Sequence, residues 1–342
     1  MSITGVDFRK ITTDDLSERP QCFERDGKVT LLRHLNWCVL NPVDDTIPHY
    51  YMRNMEPDNY RWGGIIRLAD SPLGFQSSAH HTELAQANTV VTRYHRCTDN
   101  PDAYEISSEM PFTRFRTSAD GFAWKEANVL DVTGTPFPYM IVIHPDSPQG
   151  ICYWVQPAII RGTYAGKEIC TLGAFDRFFT PLDKIEQQKA VQEVLKHYIW
   201  SYYMSVRQDG RRELAYMNIC KHNGEGVGIY WLEGEEPVMS DEVTLDAEWH
   251  RLPYAPPSDP SLTFTNATWR FGGKEIHFAG KWGAKGHTPT PRLYTVGLTH
   301  CYGIWYEGTT HRDYLMQHCA NECSGGTVDN LLSMGFDVRH LR

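Results

Sequence analysis

The chain has 342 residues, of which 41% are hydrophobic and 22% are charged, the balance of a globular protein with room for two domains. Its formal net charge of −9 argues against binding to nucleic acid or to an anionic membrane surface, because both require a basic protein surface. No apolar run approaches the roughly eighteen residues of a membrane span.

Aromatic residues are abundant, with ten Trp, eighteen Tyr and fourteen Phe, or 12% of the chain. β-Proteins favour aromatic residues in general, and barrels and sandwiches also enclose space that rigid rings can line. Some of these rings are therefore expected to line a pocket for an apolar small molecule, while a purely structural role remains open for each. The first residues show no basic stretch followed by an apolar one, and with nine Cys this predicts reduced thiols in the cytoplasm.

Hairpin signals dominate the chain. Asp26-Gly27, Asp120-Gly121, Asp209-Gly210 and Asn223-Gly224 are dipeptides typical of tight β-turns, and each lies beside strand-like runs. Hairpins in succession predict a mainly β fold of antiparallel strands, arranged as two consecutive lipocalin-like barrels or sandwiches.

The segment 152–179 is predicted to be a long hairpin. Its second strand alternates, with Ile169, Thr171, Gly173 and Phe175 on one face and Cys170, Leu172, Ala174 and Asp176 on the other. Asp176 therefore shares a face with small or apolar side chains.

One segment near mid-chain, 181–203, is predicted to be helical. Apolar residues recur there at a spacing of three and four, at Ile185, Val191, Val194, Leu195, Tyr198 and Tyr202. We place the domain boundary beside this helix, with an N-terminal β domain over 1–181 and the helix plus a C-terminal β domain over 182–342.

A short repeat agrees with two related domains. Gly166-Lys167-Glu168-Ile169 and Gly273-Lys274-Glu275-Ile276 both follow a β-run that ends at a Gly turn. A match of four residues arises by chance in a chain of this length. The shared strand and Gly-turn context of the two copies is what indicates a duplicated domain. The position equivalent to Asp176 in the second copy is Gly283.

No common catalytic or metal motif is present. The sequence has no nucleophile elbow, phosphate loop or H-E-x-x-H helix, and no cofactor is predicted. His311, His318, Cys319 and Cys323 are suitable ligand types for zinc, but their spacing fits no standard finger. Ordinary structural roles are favoured for these four residues, and no metal site is predicted.

Asp176 is the candidate catalytic residue. Loss of hydration on a strand of low polarity raises the pKa of a carboxyl group toward the range in which it can act as a general acid. The alternative is structural, in which Asp176 pairs with an arginine such as Arg177 or Arg161 and stays ionised. Tyr153 and Trp154 lie near it and are suited to stabilise a cation through their ring faces.

Two motifs resemble a known family. Tyr153-Trp154-Val155-Gln156-Pro157 and Gly173-Ala174-Phe175-Asp176-Arg177, on either side of a Gly-Lys turn, resemble the two-domain lipocalin-like superfamily. That superfamily includes AttH-like proteins, carotenoid 1,2-hydratases (hydroxyneurosporene synthases), the kievitone hydratase type and related pericyclases. In the hydratases the motif aspartate protonates a double bond, and the resemblance assigns that role to Asp176. The chain departs from their pattern at Cys152-Tyr153, where they have His before the Trp, and at Ala174, where they have Tyr.

The resulting hypothesis is a cofactor-independent hydratase, dehydratase or cyclase that acts on an apolar terpenoid- or polyketide-like molecule. Asp176 and Tyr153 form its catalytic set, and the rings expected to contact substrate are Trp124, Trp154, Phe175 and Trp282. The rival hypothesis is a non-catalytic carrier that uses the same cavity. Whether two copies of the chain form a homodimer is left open.

Overall fold

The computed structural model describes residues 2–3, 5–16, 22–25, 28–41, 95–109, 112–127, 130–143, 152–181, 198–220, 226–251, 262–280, 287–290, 298–309, 313–324 and 326–341. Within these ranges the chain is mainly β and every strand pair is antiparallel, as the hairpin pattern predicts.

The first half of the chain forms one sheet, which we call the N-terminal sheet. In the described ranges it has twelve strands: β1 (Ser2–Ile3), β2 (Val6–Lys10), β3 (Cys22–Arg25), β4 (Lys28–Asn41), β5 (His95–Arg96), β6 (Ala103–Glu109), β7 (Phe112–Ser118), β8 (Gly121–Glu126), β9 (Leu130–Pro136), β10 (Tyr139–Ile143), β11 (Cys152–Tyr164) and β12 (Lys167–Pro181). The order is β1-β2-β10-β11-β9-β8-β7-β6-β5, and β12 joins β11 to β4.

The second half forms the C-terminal sheet. Its ten described strands are β13 (Tyr198–Arg207), β14 (Arg212–Cys220), β15 (Gly226–Leu232), β16 (Val238–Ser240), β17 (Thr244–Arg251), β18 (Leu262–Phe271), β19 (Lys274–Gly280), β20 (His287–Thr290), β21 (Leu298–Glu307) and β22 (Tyr314–Ser324). The order is β16-β15-β14-β13-β22-β21-β19-β18-β17, with β20 paired to β21.

Each sheet curls around a core of its own. Phe115 in β7 stacks on Phe175 in β12 with ring centroids 4.2 Å apart, although β8, β9 and β11 lie between them in the sheet. Likewise Tyr203 in β13 stacks on Phe278 in β19 at 5.9 Å, with β22 and β21 between them. Such contacts require curled sheets, and they agree with the lipocalin-like fold class expected from the sequence.

Several predicted turns join paired strands. Asp120 lies in the turn between β7 and β8, with Gly121 as the first residue of β8, and Asp209-Gly210 lies in the turn between β13 and β14. Asp26-Gly27 and Asn223-Gly224 lie outside the described residues, and the strands that flank them, β3 with β4 and β14 with β15, pair antiparallel. In both copies of the repeat the Gly occupies a hairpin turn with positive φ, +78° at Gly166 and +76° at Gly273.

The outer faces of the two sheets pack against each other. The contact is a continuous set of side chains that we call the interface cluster, and its buried members are Val6, Phe8, Phe137, Ile141, Val155, Leu172, Ala174, Tyr202, Met204, Val206, Leu214, Tyr216, Val227, Ile229 and Trp231. Strands β10, β11 and β12 are therefore buried on both faces, one toward the N-terminal core and one toward the C-terminal sheet.

The structure corrects part of the mid-chain helix prediction. Pro181 ends β12, residues 182–197 lie outside the described ranges, and Tyr198 and Tyr202 belong to strand β13. The described helices are α1 (Thr13–Leu16), α2 (Val328–Ser333) and a short 3₁₀ helix (Arg339–Leu341). In the described part of the chain no helix has the length and apolarity needed to cross a bilayer.

Candidate functional site

Asp176 points out of the N-terminal sheet toward the C-terminal one. The predicted alternation in β12 is observed: Phe175 is buried in the N-terminal core, while Ala174 belongs to the interface cluster. Asp176 is on the same face as Ala174 and is 5% exposed. The C-terminal sheet removes this carboxyl group from water, and a strand on the surface of a single barrel would not.

A tyrosine on the neighbouring strand holds Asp176. The Tyr153 hydroxyl donates a hydrogen bond of 2.6 Å to Oδ2 of Asp176, so the structure brings the two predicted catalytic residues together. The other oxygen, Oδ1, is buried and has no hydrogen-bond partner among the described residues. A carboxyl group bound through one oxygen is oriented, and its second oxygen is left to carry or accept a proton.

The described structure does not show the alternative in which Asp176 forms an ion pair with Arg177 or Arg161. Arg177 is the next residue in β12, so its side chain lies on the opposite face, with its guanidinium 5.6 Å from the centre of the Trp154 ring. Arg161 is exposed and pairs in register with Cys170. In the described ranges Asp176 therefore has no ion pair with arginine.

Burial dominates the electrostatics of Asp176. Removal from water raises the pKa of its carboxyl group to about 7, the Tyr153 hydrogen bond opposes the rise, and the nearby charge of Glu322 adds to it. A carboxyl group with such a pKa is largely protonated at slightly acidic pH and half-protonated near neutrality. Those are the conditions under which a general acid is most effective.

The C-terminal sheet supplies an aromatic wall opposite Asp176. Trp200 in β13 stacks on Tyr202 with ring centroids 5.7 Å apart and meets the Tyr216 ring edge-on at 6.2 Å. The buried Tyr202 hydroxyl has no partner in the described part of the chain. The Tyr216 hydroxyl approaches Asn218 and Trp200 without forming a hydrogen bond of ordinary geometry. Buried polar groups that lack a hydrogen-bond partner within the protein usually bind an ordered water or a ligand.

A second acidic residue, Glu322, lies beside the aromatic wall. Glu322 in β22 lies directly across from Trp200, and its Oε1 accepts a hydrogen bond of 2.9 Å from the Tyr198 hydroxyl. Removal from water raises the pKa of Glu322 to about 7, and the Tyr198 hydrogen bond opposes the rise. We call the set Tyr153, Asp176, Tyr198, Trp200, Tyr202, Tyr216 and Glu322 the interface site.

The aromatic residues predicted to contact substrate lie elsewhere. Trp124, Trp154 and Phe175 are fully buried in the N-terminal core, where Trp154 meets Phe175 edge-on at 5.4 Å. They are separated from Asp176 by the sheet itself, because Phe175 and Asp176 occupy opposite faces of β12. Trp282 lies outside the described residues.

The N-terminal core contains polar groups of its own. Gln156 is fully buried, and neither atom of its amide group has a hydrogen-bond partner among the described residues. Thr117 Oγ1 and Trp154 Nε1 are also buried and have no hydrogen-bond partner among the described residues. Burying a bare amide is costly, so this core also offers donors and acceptors to a guest molecule or to ordered water.

Of the four His and Cys residues considered as zinc ligands, the three in the described part of the chain do not lie on one face of β22. Cys319 and Cys323 belong to the core of the C-terminal sheet, whereas His318, one position away from Cys319, faces the other side of β22. His311 lies outside the described residues. A surface cleft of about 820 Å³ in the C-terminal half is lined by charged side chains such as Arg270, Lys274 and Glu242, and it does not include the interface site.

Sequence reasoning missed the aromatic wall and Glu322. The run Tyr198 to Tyr203 carries Trp200 and Tyr202 in alternate positions, a strand pattern that the helical spacing of the preceding residues obscured. Glu322 has no local signal, because its burial depends on the packing of β22 against β12.

Comparison with known proteins gives structural likeness only. No protein-family model and no curated protein matches the chain. Among solved structures, CghA is similar at 10% identity with a TM-score of 0.38, over 94% of this chain and 100% of that one. CghA with Sch210972 is similar at 9% identity with a TM-score of 0.37, over 94% and 98% of the two chains. Kievitone hydratase from Nectria haematococca is similar at 8% identity with a TM-score of 0.34, over 87% and 90%.

Kievitone hydratase represents one of the protein types that the motifs in 152–179 resemble. Because all three identities are 10% or less and all three TM-scores are below 0.5, the function has to be argued from this chain's own residues.

Proposed function

We propose that this protein is a cofactor-independent lyase or isomerase, of the hydratase, dehydratase or cyclase kind, that acts on an apolar terpenoid- or polyketide-like molecule at the interface site. Asp176 is the general acid. The observation that supports the proposal is a buried carboxyl group whose Oδ2 accepts a hydrogen bond of 2.6 Å from Tyr153, while Oδ1 has no hydrogen-bond partner among the described residues.

The hydrogen bond from Tyr153 determines which oxygen of Asp176 reacts. Because the Tyr153 hydroxyl donates to Oδ2, the acidic proton resides on Oδ1. Transfer of that proton to a carbon of a double bond creates a cation on the neighbouring carbon, and the Asp176 carboxylate remains behind. The ring faces of Trp200 and Tyr202 are suited to stabilise this cation.

Exclusion of water supports the same chemistry. A carbocation in open solvent is captured at random, whereas a closed site determines whether water, a proton acceptor or another part of the substrate reacts with it. Tyr202 and Asp176 are both nearly inaccessible, at 3% and 5% exposure. Binding in one reactive conformation then favours a single product.

The test compares Asp176→Asn with the wild-type protein on the small molecules that remain bound through purification, identified by mass spectrometry. The wild type is expected to convert them, and Asp176→Asn is expected to bind them unchanged while keeping its fold. Asp209→Asn, at an exposed turn, is the matched control and should behave as wild type. Equal conversion by Asp176→Asn and wild type would contradict the proposal.

A carrier function is the second candidate, and one observation favours it. The unpartnered Gln156 amide lies among the rings of the N-terminal core, on the far side of β12 from Asp176. A guest held there by Trp124, Trp154 and Gln156 would have no access to the acid. In that case Gln156→Met would weaken retention of the bound molecule, Asp176→Asn would leave retention unchanged, and the molecule would emerge chemically intact.

A further inference from the structure

We propose that Glu322 is the second acid–base group of the interface site and accepts a proton in the reaction in which Asp176 gives one. The inference rests on the function proposed above and extends it, because it defines the class of reaction: one proton enters the substrate and one proton leaves the substrate or a bound water.

The positions of the two carboxyl groups support this pairing. Asp176 projects from β12 and Glu322 from β22, and these two strands pack against each other across the interface. Trp200 lies across from Glu322 in register and stacks on Tyr202, and the charge of Asp176 acts on the Tyr202 hydroxyl. The two carboxyl groups therefore flank one aromatic wall built from Trp200 and Tyr202.

The two groups also have matching surroundings. Asp176 is buried and Glu322 is half-buried, and each accepts a hydrogen bond from a tyrosine on an adjacent strand, at 2.6 Å from Tyr153 and at 2.9 Å from Tyr198. The charge of Glu322 raises the pKa of Asp176, so ionisation of Glu322 favours the protonated form of Asp176. One member is then an acid and the other a base at the same time.

The balance of the reaction follows from a protonated Asp176 and an ionised Glu322. Asp176 transfers its proton to one carbon of a double bond, and the π electrons form the new C–H bond. The Glu322 carboxylate removes a proton from the carbon next to the cation, whose C–H electrons form a new double bond, or from a water whose oxygen bonds to the cation. The first route is an isomerisation and the second is a hydration, and in both the proton returns from Glu322 to Asp176 before the next turnover.

Unpartnered tyrosine hydroxyls in the same wall indicate that a ligand belongs there. Tyr202 is 3% exposed and Tyr216 is fully buried, and neither hydroxyl forms a hydrogen bond of ordinary geometry in the described structure. A hydroxyl or carbonyl group on an otherwise apolar molecule would satisfy them. The substrate class is therefore an oxygenated hydrocarbon with a double bond.

Other titratable residues face the pair. They include Tyr153 from β11, Tyr198 and Tyr202 from β13, and Tyr216 and Cys220 from β14, and His300 of β21 pairs in register with Glu322. Burial raises the pKa of Tyr202 and of Tyr216, so both remain protonated through neutral pH. Neither of these two tyrosines therefore competes with the two carboxyl groups for the proton.

Carbon-13 NMR of protein labelled at the Asp γ- and Glu δ-carboxyl carbons tests the pairing without a substrate. The expected result is that both Asp176 and Glu322 titrate near neutral pH and that Glu322→Gln lowers the titration midpoint of Asp176. Glu248→Gln, which removes an exposed carboxyl group on β17, should leave the Asp176 midpoint unchanged.

Each outcome has a defined meaning. An Asp176 midpoint near 7 that Glu322→Gln does not move, or a wild-type Glu322 that titrates at its ordinary value, overturns the inference and leaves the proposed function standing. An Asp176 midpoint at its ordinary value overturns the proposed function as well. A wild-type Glu322 signal at its ordinary value overturns the inference by itself, so the inference stays falsifiable even if Glu322→Gln fails to fold.

Discussion

The Tyr153 hydroxyl and the Asp176 carboxyl group meet at 2.6 Å on two neighbouring strands, on the face of the N-terminal sheet that the C-terminal sheet covers. A hydrogen bond to a carboxylate favours the ionised form, whereas burial disfavours it. The acidity of Asp176 is therefore the balance between one tyrosine on its own sheet and the opposing sheet that removes it from water.

Tyr153→Phe is expected to raise the pKa of Asp176 further, because it removes the contact that lowers it. The fold should survive, with a loss of about 1–3 kcal/mol in unfolding free energy at pH 8, where the bond is made to a charged group. Titration of Asp176 and urea unfolding provide the measurements. Tyr139→Phe, which changes a tyrosine stacked on Phe8 in the same interface, should leave the Asp176 midpoint in place.

The change in unfolding free energy that Asp176→Asn causes relative to wild type is expected to be more favourable at pH 8 than at pH 5. Folding raises the pKa of Asp176 from 3.8 to about 7, so between these values the folded state holds a proton that the unfolded state has lost. The unfolding free energy of the wild type therefore falls as pH rises through this window and levels off above it. Asparagine stays neutral, so the variant loses the contribution of Asp176 to the dependence of unfolding free energy on pH. The contribution of Glu322 to that dependence remains.

Urea unfolding of both proteins at pH 5 and pH 8 measures this difference. The opposite sign, with Asp176→Asn most destabilising at pH 8, would indicate an ion pair that stabilises the ionised carboxylate.

Arg212→Ala is expected to loosen the two sheets from each other. Its Nη1 donates to the carbonyl oxygen of Pro136 at 2.9 Å, its guanidinium lies 5.6 Å from the centre of the Phe137 ring, and Glu233 binds its other nitrogens at 2.6 Å and 3.0 Å. This arginine of β14 thus contacts the N-terminal half directly. The expected loss is about 1–3 kcal/mol in unfolding free energy, together with partial separation of the unfolding of the two halves.

Calorimetry and urea unfolding followed by tryptophan fluorescence check the prediction for Arg212. Arg211→Ala is the control, because in the described part of the chain the exposed Arg211 pairs with two surface carboxylates, and its loss should cost less than about 0.5 kcal/mol. Equal effects of the two substitutions would show that Arg212 does not join the halves.

Gly162→Ala is expected to be far more destabilising than Gly166→Ala in the same hairpin. Gly162 has φ +149°, and a Cβ there would overlap the backbone of Asp131 and Val132 in β9. At Gly166, with φ +78°, a Cβ has open space, so only the cost of the left-handed conformation remains, about 1 kcal/mol. Thermal unfolding of the two variants should differ by more than 2 kcal/mol, roughly the cost of displacing packed backbone. Equal effects would mean that β9 does not fix the register of the strand that carries Tyr153.

The turn and strand patterns of the first half could be derived from the sequence, because they depend on local residue types. Asp120-Gly121 and the alternation from Ile169 to Asp176 require only backbone preferences and a period of two. That alternation already places Phe175 and Asp176 on opposite faces, so the rings grouped with the acid by their nearness in sequence belong to a different core.

The other wall of the site could not be derived in this way. Trp200 and Tyr202 lie in a run whose spacing suits a helix or a strand, and the choice is made by pairing with β14 and β22. Glu322 is 146 positions beyond Asp176 in the sequence (322 minus 176), and nothing local indicates that two sheets would enclose both. Tertiary packing creates the burial on which the acidity of both residues depends.

Infrared difference spectroscopy of wild type against Asp176→Asn tests the central claim most directly, because it detects the proton on Asp176. The account predicts a band of a protonated carboxylic acid in the wild type at pH 6 that is absent from Asp176→Asn and disappears as pH rises through about 7. A wild-type spectrum with only the carboxylate bands of Asp176 at pH 6 would contradict it, since an ionised Asp176 cannot give the substrate a proton.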